Sequence, residues 1–154
     1  MRIEAESRVA ARLDELWALV DDLAALGGCM PGASDVRVTG PDRLEATLHQ
    51  QVGPIGLTFQ VHVRLAELDR PSRAVIEIDG EDRRLAARVH QHQEISFQPE
   101  GDGTLVRIVA DVQVAGRLAT FGQRVIEAKA RELADGMIAN IDALVQSRRA
   151  ATSD

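Results

Sequence analysis

The fold is decided by the stretch RLATFGQRVIEAKARELADGMIANIDALVQSR, residues 117–148. Apolar side chains recur in it every three or four residues, as on one face of an α-helix, and only Gly122 and Gly136 interrupt the pattern. The apolar stripe consists of Ile126, Ala130, Leu133, Met137, Ile141 and Leu144. The stretch therefore predicts one continuous C-terminal helix of roughly 30 residues, or about 45 Å.

Upstream of this helix, alternating apolar and polar residues predict antiparallel strands. The predicted strands are residues 3–9, 35–39, 43–52, 57–68, 73–79, 86–98 and 104–115. Between them lie Gly- and Pro-containing segments that favour turns, at residues 40–42, 53–56, 69–72, 80–82 and 100–103. Connections this short join antiparallel neighbours, so we expect one curved antiparallel sheet.

Two short helices are predicted between the first and second strands. Helical spacing of Leu13, Leu16, Trp17 and Val20 predicts a helix over residues 12–20, and a second follows at 23–26, where Gly27-Gly28 should stop it. The order is thus strand, two helices, six strands, long helix: an α+β fold in which the long helix covers a seven-stranded sheet. We expect one domain over residues 1–148 and a flexible tail over 149–154.

Composition excludes several classes of protein. The 154 residues are 45% apolar and 27% charged, which predicts a soluble globular chain. A net charge of −6 and few aromatic residues argue against nucleic-acid binding. The single cysteine, Cys29, allows no internal disulfide and makes a Cys-based zinc site unexpected. Neither an export signal nor a membrane-spanning apolar run is visible, so a cytoplasmic location is expected.

Three glutamines interrupt the apolar face of the predicted sheet. Alternation places Gln91 and Gln93 inward on the sixth strand and Gln50 inward on the third. An unpaired buried amide costs about 1–3 kcal/mol, so each needs a partner. Water at an open sheet end, partners on the long helix, or a ligand in an apolar pocket would each satisfy them.

Candidates for metal binding and catalysis are weak. His90, His92 and Glu94 share one strand face, but alternation puts them on the side away from the helix, where a solvated face or subunit contact is the alternative to a metal site. Cys29 has no base or cation nearby in the sequence and is interpreted as packing. We therefore expect no catalytic residue and no metal ligand.

Polar residues of the long helix have two interpretations. Lys129 and Asn140 lie near the edge of its apolar stripe and could reach a pocket, although Lys129 is expected by preference to extend to solvent. The helix is also more basic than the rest of the chain, so its polar face could approach an anionic membrane or simply be solvated.

Several short motifs give the chain a family resemblance. They are Met30-Pro31-Gly32-Ala33, Val52-Gly53-Pro54-Ile55, Gly101-Asp102-Gly103-Thr104, Val114-Ala115-Gly116-Arg117-Leu118-Ala119 and Phe121-Gly122. In this order and spacing they resemble the CoxG family of carbon monoxide dehydrogenase subunits, within the START-like, or SRPBCC, superfamily. The resemblance covers about residues 2–145.

The resemblance implies a helix-grip fold, as in START and Bet v 1-like proteins, with an apolar cavity between sheet and helix. It implies a non-enzymatic accessory protein of a molybdenum hydroxylase such as carbon monoxide dehydrogenase, acting in maturation, membrane recruitment or handling of a quinone. A bound quinone or isoprenoid lipid is then the expected ligand, with no other cofactor. A START-like cyclase or hydrolase, or a docking module without ligand, remains the alternative.

Under this interpretation the ligand-binding residues are Trp17, Leu26, Met30, Phe59, Val61, Ile76, Gln91, Gln93, Phe97, Ile108, Ala110, Phe121, Val125 and Ile126. The 27–32 segment would act as a lid. Two departures from the family are visible. Many members carry a C-terminal extension that could contact the inner face of the membrane, whereas this sequence stops at Asp154, and Glu81-Asp82-Arg83-Arg84-Leu85 replaces a Gly-rich stretch of small residues.

Overall fold

The computed structural model describes residues 1–152, which form seven strands, three α-helices and one 3-10 helix. The strands are β1 Arg2–Val9, β2 Ala33–Gly40, β3 Arg43–Val52, β4 Ile55–Asp69, β5 Arg73–Asp82, β6 Ala87–Glu100 and β7 Gly103–Gly116. The helices are α1 Leu13–Val20, α2 Leu23–Gly28 and α3 Gln123–Thr152, and the 3-10 helix spans Arg117–Phe121. This element order confirms the predicted α+β fold.

All seven strands form one antiparallel sheet in the order β1-β7-β6-β5-β4-β3-β2. The first strand therefore lies beside the last, and both sheet edges, β1 and β2, flank the two short helices in the sequence. The apolar faces of the strands turn towards α3, as alternation predicts. Ala130 of α3 packs against the cluster formed by Ile3, Ala110 and Val112. Further along α3, Ile138 belongs to a second cluster, which contains Val9.

The C-terminal helix differs from its prediction at its start. Residues 117–148 were expected to form one helix, but a 3-10 helix ends at Phe121 and α3 starts at Gln123. Gly122 between them has φ +89° and ψ 151°, a conformation outside any helix. A break rather than a bend therefore separates the two segments.

At its far end α3 continues to Thr152, so residues 149–152 are helical and not the predicted flexible tail. Arg149 explains the extension, because its Nε donates a 2.6 Å hydrogen bond to Glu15 Oε2 and ties the last turn to α1. The rest of the predicted tail, residues 153–154, lies outside the described residues.

One predicted helix end is displaced and one predicted turn is wrong. Helix α2 ends at Gly28, within the glycine pair that was expected to stop it and two residues beyond its predicted end, whereas β5 continues through the 80–82 segment that was expected to turn. Gly80 serves packing instead, because a Cβ there would lie 3.0 Å from Val89 Cγ1 and 3.6 Å from Phe59 Cδ1. The chain turns after Asp82, whose carboxylate accepts hydrogen bonds from the N–H groups of Thr58 (2.9 Å) and Leu85 (3.2 Å).

Candidate ligand-binding cavity

An apolar cavity of about 230 Å³ lies between the concave face of the sheet and α3. Aliphatic side chains of the strands form one wall, and Ile126, Leu133 and Met137 of α3 form the other. Eleven of the fourteen predicted ligand-binding residues line it: Leu26, Met30, Phe59, Val61, Ile76, Gln91, Gln93, Phe97, Ile108, Ala110 and Ile126. The sequence pattern therefore locates most of the wall, since strand alternation and helical spacing select the same interior.

The other three predicted residues lie outside the lining. Trp17 is buried beyond one end of the cavity, where its ring packs 5.3 Å from that of Phe97 and its Nε1 donates a 2.8 Å hydrogen bond to Pro71 O. Phe121 packs at the margin of the core from the 3-10 helix. Val125 is 42% exposed, because it immediately precedes Ile126 and so lies about 100° around α3 from the apolar stripe.

Two inward glutamines place polar atoms in this apolar wall. Gln93 Nε2 donates a 2.7 Å hydrogen bond to Gln91 Oε1. Within residues 1–152, the Gln91 amide N–H groups and the Gln93 carbonyl oxygen have no further hydrogen-bond partner, and no fully buried side-chain N or O atom is left unpaired. These free groups thus keep accessible surface, and the pair offers both a donor and an acceptor at the cavity.

The third glutamine holds the predicted lid. Gln50 Nε2 donates a 2.7 Å hydrogen bond to Pro31 O, and Asn140 Nδ2 of α3 donates a 2.9 Å bond to Cys29 O. Gly136 lets the segment approach, because a Cβ at that position would lie 3.0 Å from Pro31 Cγ. The 27–32 segment is therefore pinned between β3 and α3. Whether it opens stays a prediction.

Cys29 lies in this segment and is 4% exposed. Burial raises the pKa of its thiol, which disfavours the thiolate that a nucleophile or metal ligand needs. Its packing role agrees with the interpretation from the sequence.

Lys129 lies at the edge of the apolar stripe, where it was expected to reach a pocket or, by preference, to extend its charged end to solvent. Its side chain is 19% exposed and lines the cavity. The ammonium pairs with Glu132 Oε2 at 3.2 Å, and that carboxylate is itself 68% exposed. Lys129 is the one titratable side chain among the described residues of the cavity wall. The available signal was its position between Ile126 and Ala130, on the flank of the apolar stripe.

His90 and His92 form a separate cluster with Glu77 and Asp79 on the opposite face of the sheet. His90 Nδ1 lies 2.7 Å from Asp79 Oδ1 and its Nε2 lies 3.2 Å from Glu77 Oε2, while His92 hydrogen-bonds to Glu77. The bond to Glu77 raises the pKa of His92. Among the described residues, no group of three or more His, Cys, Asp or Glu side chains could hold a metal ion.

The cations of α3 are largely engaged with the protein itself. Arg131 Nη1 donates a 2.9 Å hydrogen bond to Glu4 O, and Arg148 Nη2 lies 2.7 Å from Asp22 Oδ2. None of the described helices combines the length and apolar character that crossing a bilayer requires.

Known structures share this architecture. The crystal structure of a conserved protein from Geobacillus kaustophilus matches with a TM-score of 0.86 at 18% identity, over 96% of each chain. Truncated norcoclaurine synthase from Thalictrum flavum matches with a TM-score of 0.64 at 18% identity, over 94% of this chain and 92% of that one. Ara h 8.0201 matches with a TM-score of 0.66 at 12% identity, over 96% and 98%. Identities this low show the fold alone, which is the predicted helix-grip fold.

Comparison at the level of sequence gives the family. No curated protein matches the chain at a significant level. The family model for CoxG, a subunit of carbon monoxide dehydrogenase, matches residues 6–146, almost the whole chain. The protein therefore belongs to the CoxG family.

Proposed function

We propose that the protein is a non-enzymatic accessory protein that carries a lipophilic small molecule, a quinone or other isoprenoid lipid, in the cavity under α3. The observation that carries the proposal is an apolar cavity interrupted by a hydrogen-bonded Gln91–Gln93 pair with free donor and acceptor groups. A few polar groups in an apolar wall are the usual composition of a small-molecule site. A quinone matches it, because its carbonyl can accept from Gln91 while its tail lies along aliphatic side chains.

The apolar walls supply enough free energy for useful affinity. Burying about 300 Å² of an isoprenoid tail at about 25 cal/mol/Å² gives about 7 kcal/mol before ordering costs are subtracted. No bond has to be made or broken for this role. Family membership supports association with carbon monoxide dehydrogenase or a related molybdenum hydroxylase. The protein would deliver the ligand to this enzyme, or recruit the enzyme itself to the inner face of the membrane.

An enzymatic role has less support from the cavity. Catalysis on a bound molecule by general acid–base chemistry needs a suitable side chain beside it. Glu77, Asp79 and the histidines lie on the outer face of the sheet, and Lys129 alone of the titratable groups in the described part of the chain lines the cavity. The fold shared with norcoclaurine synthase concerns the scaffold and not these side chains.

The proposal predicts that the purified protein contains, or takes up, a lipophilic molecule. Native mass spectrometry before and after organic extraction should show a bound isoprenoid or quinone, or binding of added menaquinone or ubiquinone. A protein that is empty and also fails to take up either quinone would contradict the proposal.

The Gln91–Gln93 pair can be tested separately. Replacing both by leucine should weaken quinone binding about tenfold, the loss expected for one hydrogen bond of about 1.4 kcal/mol, and leave binding of a plain hydrocarbon unchanged. Gln98→Leu is the matched control, because Gln98 lies on the same strand but is exposed. Equal losses for quinone and hydrocarbon would show that the amides do not bind the carbonyl.

A further inference from the structure

One end of the sheet carries five exposed arginines, which come from the β5–β6 turn, the start of β6, the 3-10 helix and the start of α3. They are Arg83, Arg84, Arg88, Arg117 and Arg124. We propose that this end, the basic end (residues 53–56, 81–88 and 117–125), docks on the surface of an anionic lipid bilayer. The inference rests on the proposed function, because it assigns the surface that would face the membrane while the lipophilic ligand is exchanged.

Hydrogen bonds join the three segments of the basic end. Arg84 Nη2 donates a 3.3 Å bond to Gly56 O, and the Arg117 N–H donates a 3.0 Å bond to Ala86 O. Beneath them, Leu118 of the 3-10 helix packs in one cluster with residues of β3, β4 and β6. The basic end is therefore one continuous surface.

The charge of the basic end is opposite to that of the protein. Its five arginines face two carboxylates, Glu81 and Asp82, which gives a net charge of +3, whereas the whole chain carries −6. Asp82 is buried and accepts hydrogen bonds from two backbone N–H groups, so it faces the protein and not the solvent. A cluster of four or more arginines is attracted to the negative surface of a bilayer that contains anionic lipids.

Most of these arginines are free to bind phosphate groups. Within residues 1–152, Arg88, Arg117 and Arg124 form no ion pair, and Arg83 lies 3.8 Å from Glu81 with a side chain that is 90% exposed.

Arginines at the opposite end of the sheet are paired instead. Arg73 Nη1 lies 2.8 Å from Glu67 and 2.9 Å from Asp69, and Arg8 Nη2 lies 2.7 Å from Asp102. Because those carboxylates already compensate their charges, the opposite end attracts an anionic surface less.

Apolar side chains and the cavity lie at the basic end as well. Val125 is 42% exposed there, and Ile55 and Leu85 are partly exposed. Basic and apolar side chains together are typical of surfaces that bind at the headgroup level, which favours a bilayer over an acidic protein surface. Leu118 and Val52 of this end line the cavity, whereas Trp17 is buried beyond its other end. Docking by the basic end thus brings the cavity close to the lipid.

The test is flotation of the protein with vesicles of phosphatidylcholine alone or mixed with an equal part of phosphatidylglycerol. We expect wild type to bind the mixed vesicles at least tenfold more tightly and to dissociate when NaCl is raised from about 50 to about 500 mM. The triple variant Arg83→Gln, Arg117→Gln, Arg124→Gln should lose at least tenfold in affinity for the mixed vesicles, as expected at about 1 kcal/mol per arginine. Val125→Ser should lose about threefold, because less apolar surface then enters the headgroup layer.

The matched control is the triple variant Arg37→Gln, Arg43→Gln, Arg64→Gln, which removes three positive charges from exposed residues outside the basic end. It should bind the mixed vesicles as wild type does. An equal loss in both triple variants overturns the inference, since net charge then explains the binding.

The remaining outcomes separate the inference from the proposed function. Uptake of menaquinone from detergent solution should be the same in wild type and both triple variants, which also shows that they are folded. A wild-type protein that takes up menaquinone but floats with neither kind of vesicle overturns the inference and leaves the carrier function intact. Retention on a polyglutamate resin without vesicle binding also overturns it and assigns the arginines to an acidic protein surface. A protein that binds the mixed vesicles but takes up no quinone overturns the proposed function itself.

Discussion

At the scale of single residues, Glu15 joins the two ends of the helical layer. Its Oε1 accepts a 2.9 Å hydrogen bond from the Arg12 N–H at the start of α1, and its Oε2 accepts from Arg149 Nε of α3 at 2.6 Å. Its side chain is only 16% exposed. The hydrogen bonds with Arg149 lower the pKa of Glu15 to about 2. The ionised carboxylate thus stabilises both helix ends.

This lowered pKa predicts a pH-dependent stability. The contribution of Glu15 is fully present above its unfolded pKa of about 4.5 and is lost as pH falls towards about 2. Glu15→Gln should therefore lower the free energy of unfolding by about 1–2 kcal/mol at pH 7, after allowance for solvent screening, and the difference from wild type should vanish near pH 2. Urea unfolding between pH 2 and 7 measures both. Glu6→Gln on the outer face of β1 is the control, and a pH-independent difference for Glu15→Gln would contradict the assignment.

The direction of the Lys129 side chain could not be predicted from the sequence alone. Its helical position identifies the flank of the apolar stripe, but the direction of a long, flexible side chain depends on what faces it. In the folded protein the side chain lines the cavity, and its ammonium pairs with the exposed carboxylate of Glu132. Gln91 and Gln93 were easier to place, because a strand allows a side chain only two directions.

At the scale of elements, the break between the 3-10 helix and α3 depends on one residue. Gly122 has φ +89° with ψ 151°, a conformation that side chains disfavour, while a Cβ there would meet no atom within 4 Å. Any cost of substitution is thus conformational and not steric. Helical periodicity marked Gly122 as an interruption but did not predict a break, because a single glycine between two segments that are each compatible with a helix is tolerated within one.

Gly122→Ala should lower the free energy of unfolding by about 1–3 kcal/mol, the range for a residue held in such a backbone conformation. Thermal and urea unfolding measure the loss. Gly28→Ala is the matched control: a Cβ at Gly28 also has open space, but the residue is helical, so stability should stay equal or rise by up to about 1 kcal/mol. Equal stability of both variants would mean that the segment around Gly122 adapts without strain.

At the scale of the whole molecule, the sheet and α3 enclose space instead of filling it. Aliphatic side chains of seven strands face one helix, and the large side chains that could fill the gap are few, since the chain has no Tyr and three Phe. Trp17 and Phe97 pack together at one end, where α1 approaches the sheet. The middle of the interior is left to small and aliphatic residues, and the cavity lies there.

A larger side chain in this space should abolish binding without unfolding the protein. Ala134 of α3 lines the cavity, so Ala134→Phe should reduce uptake of a quinone or of Nile red at least tenfold, while the free energy of unfolding changes by less than about 1 kcal/mol. Ala139→Phe on the exposed side of the same helix is the control. If Ala134→Phe binds as well as wild type, the cavity is not the binding site.

What the sequence by itself determined is the set of elements, their order and the faces they bury. Local periodicity and turn residues carry that information, since they depend on neighbours a few positions apart. The turn predicted at residues 80–82 was wrong, because Gly80 packs closely against Val89 and Phe59 across the sheet. No local sequence pattern contains these contacts. Only the tertiary structure decided that the 27–32 segment is pinned by Gln50 and Asn140 and that the side chain of Lys129 lines the cavity, because each depends on side chains brought together from distant parts of the chain.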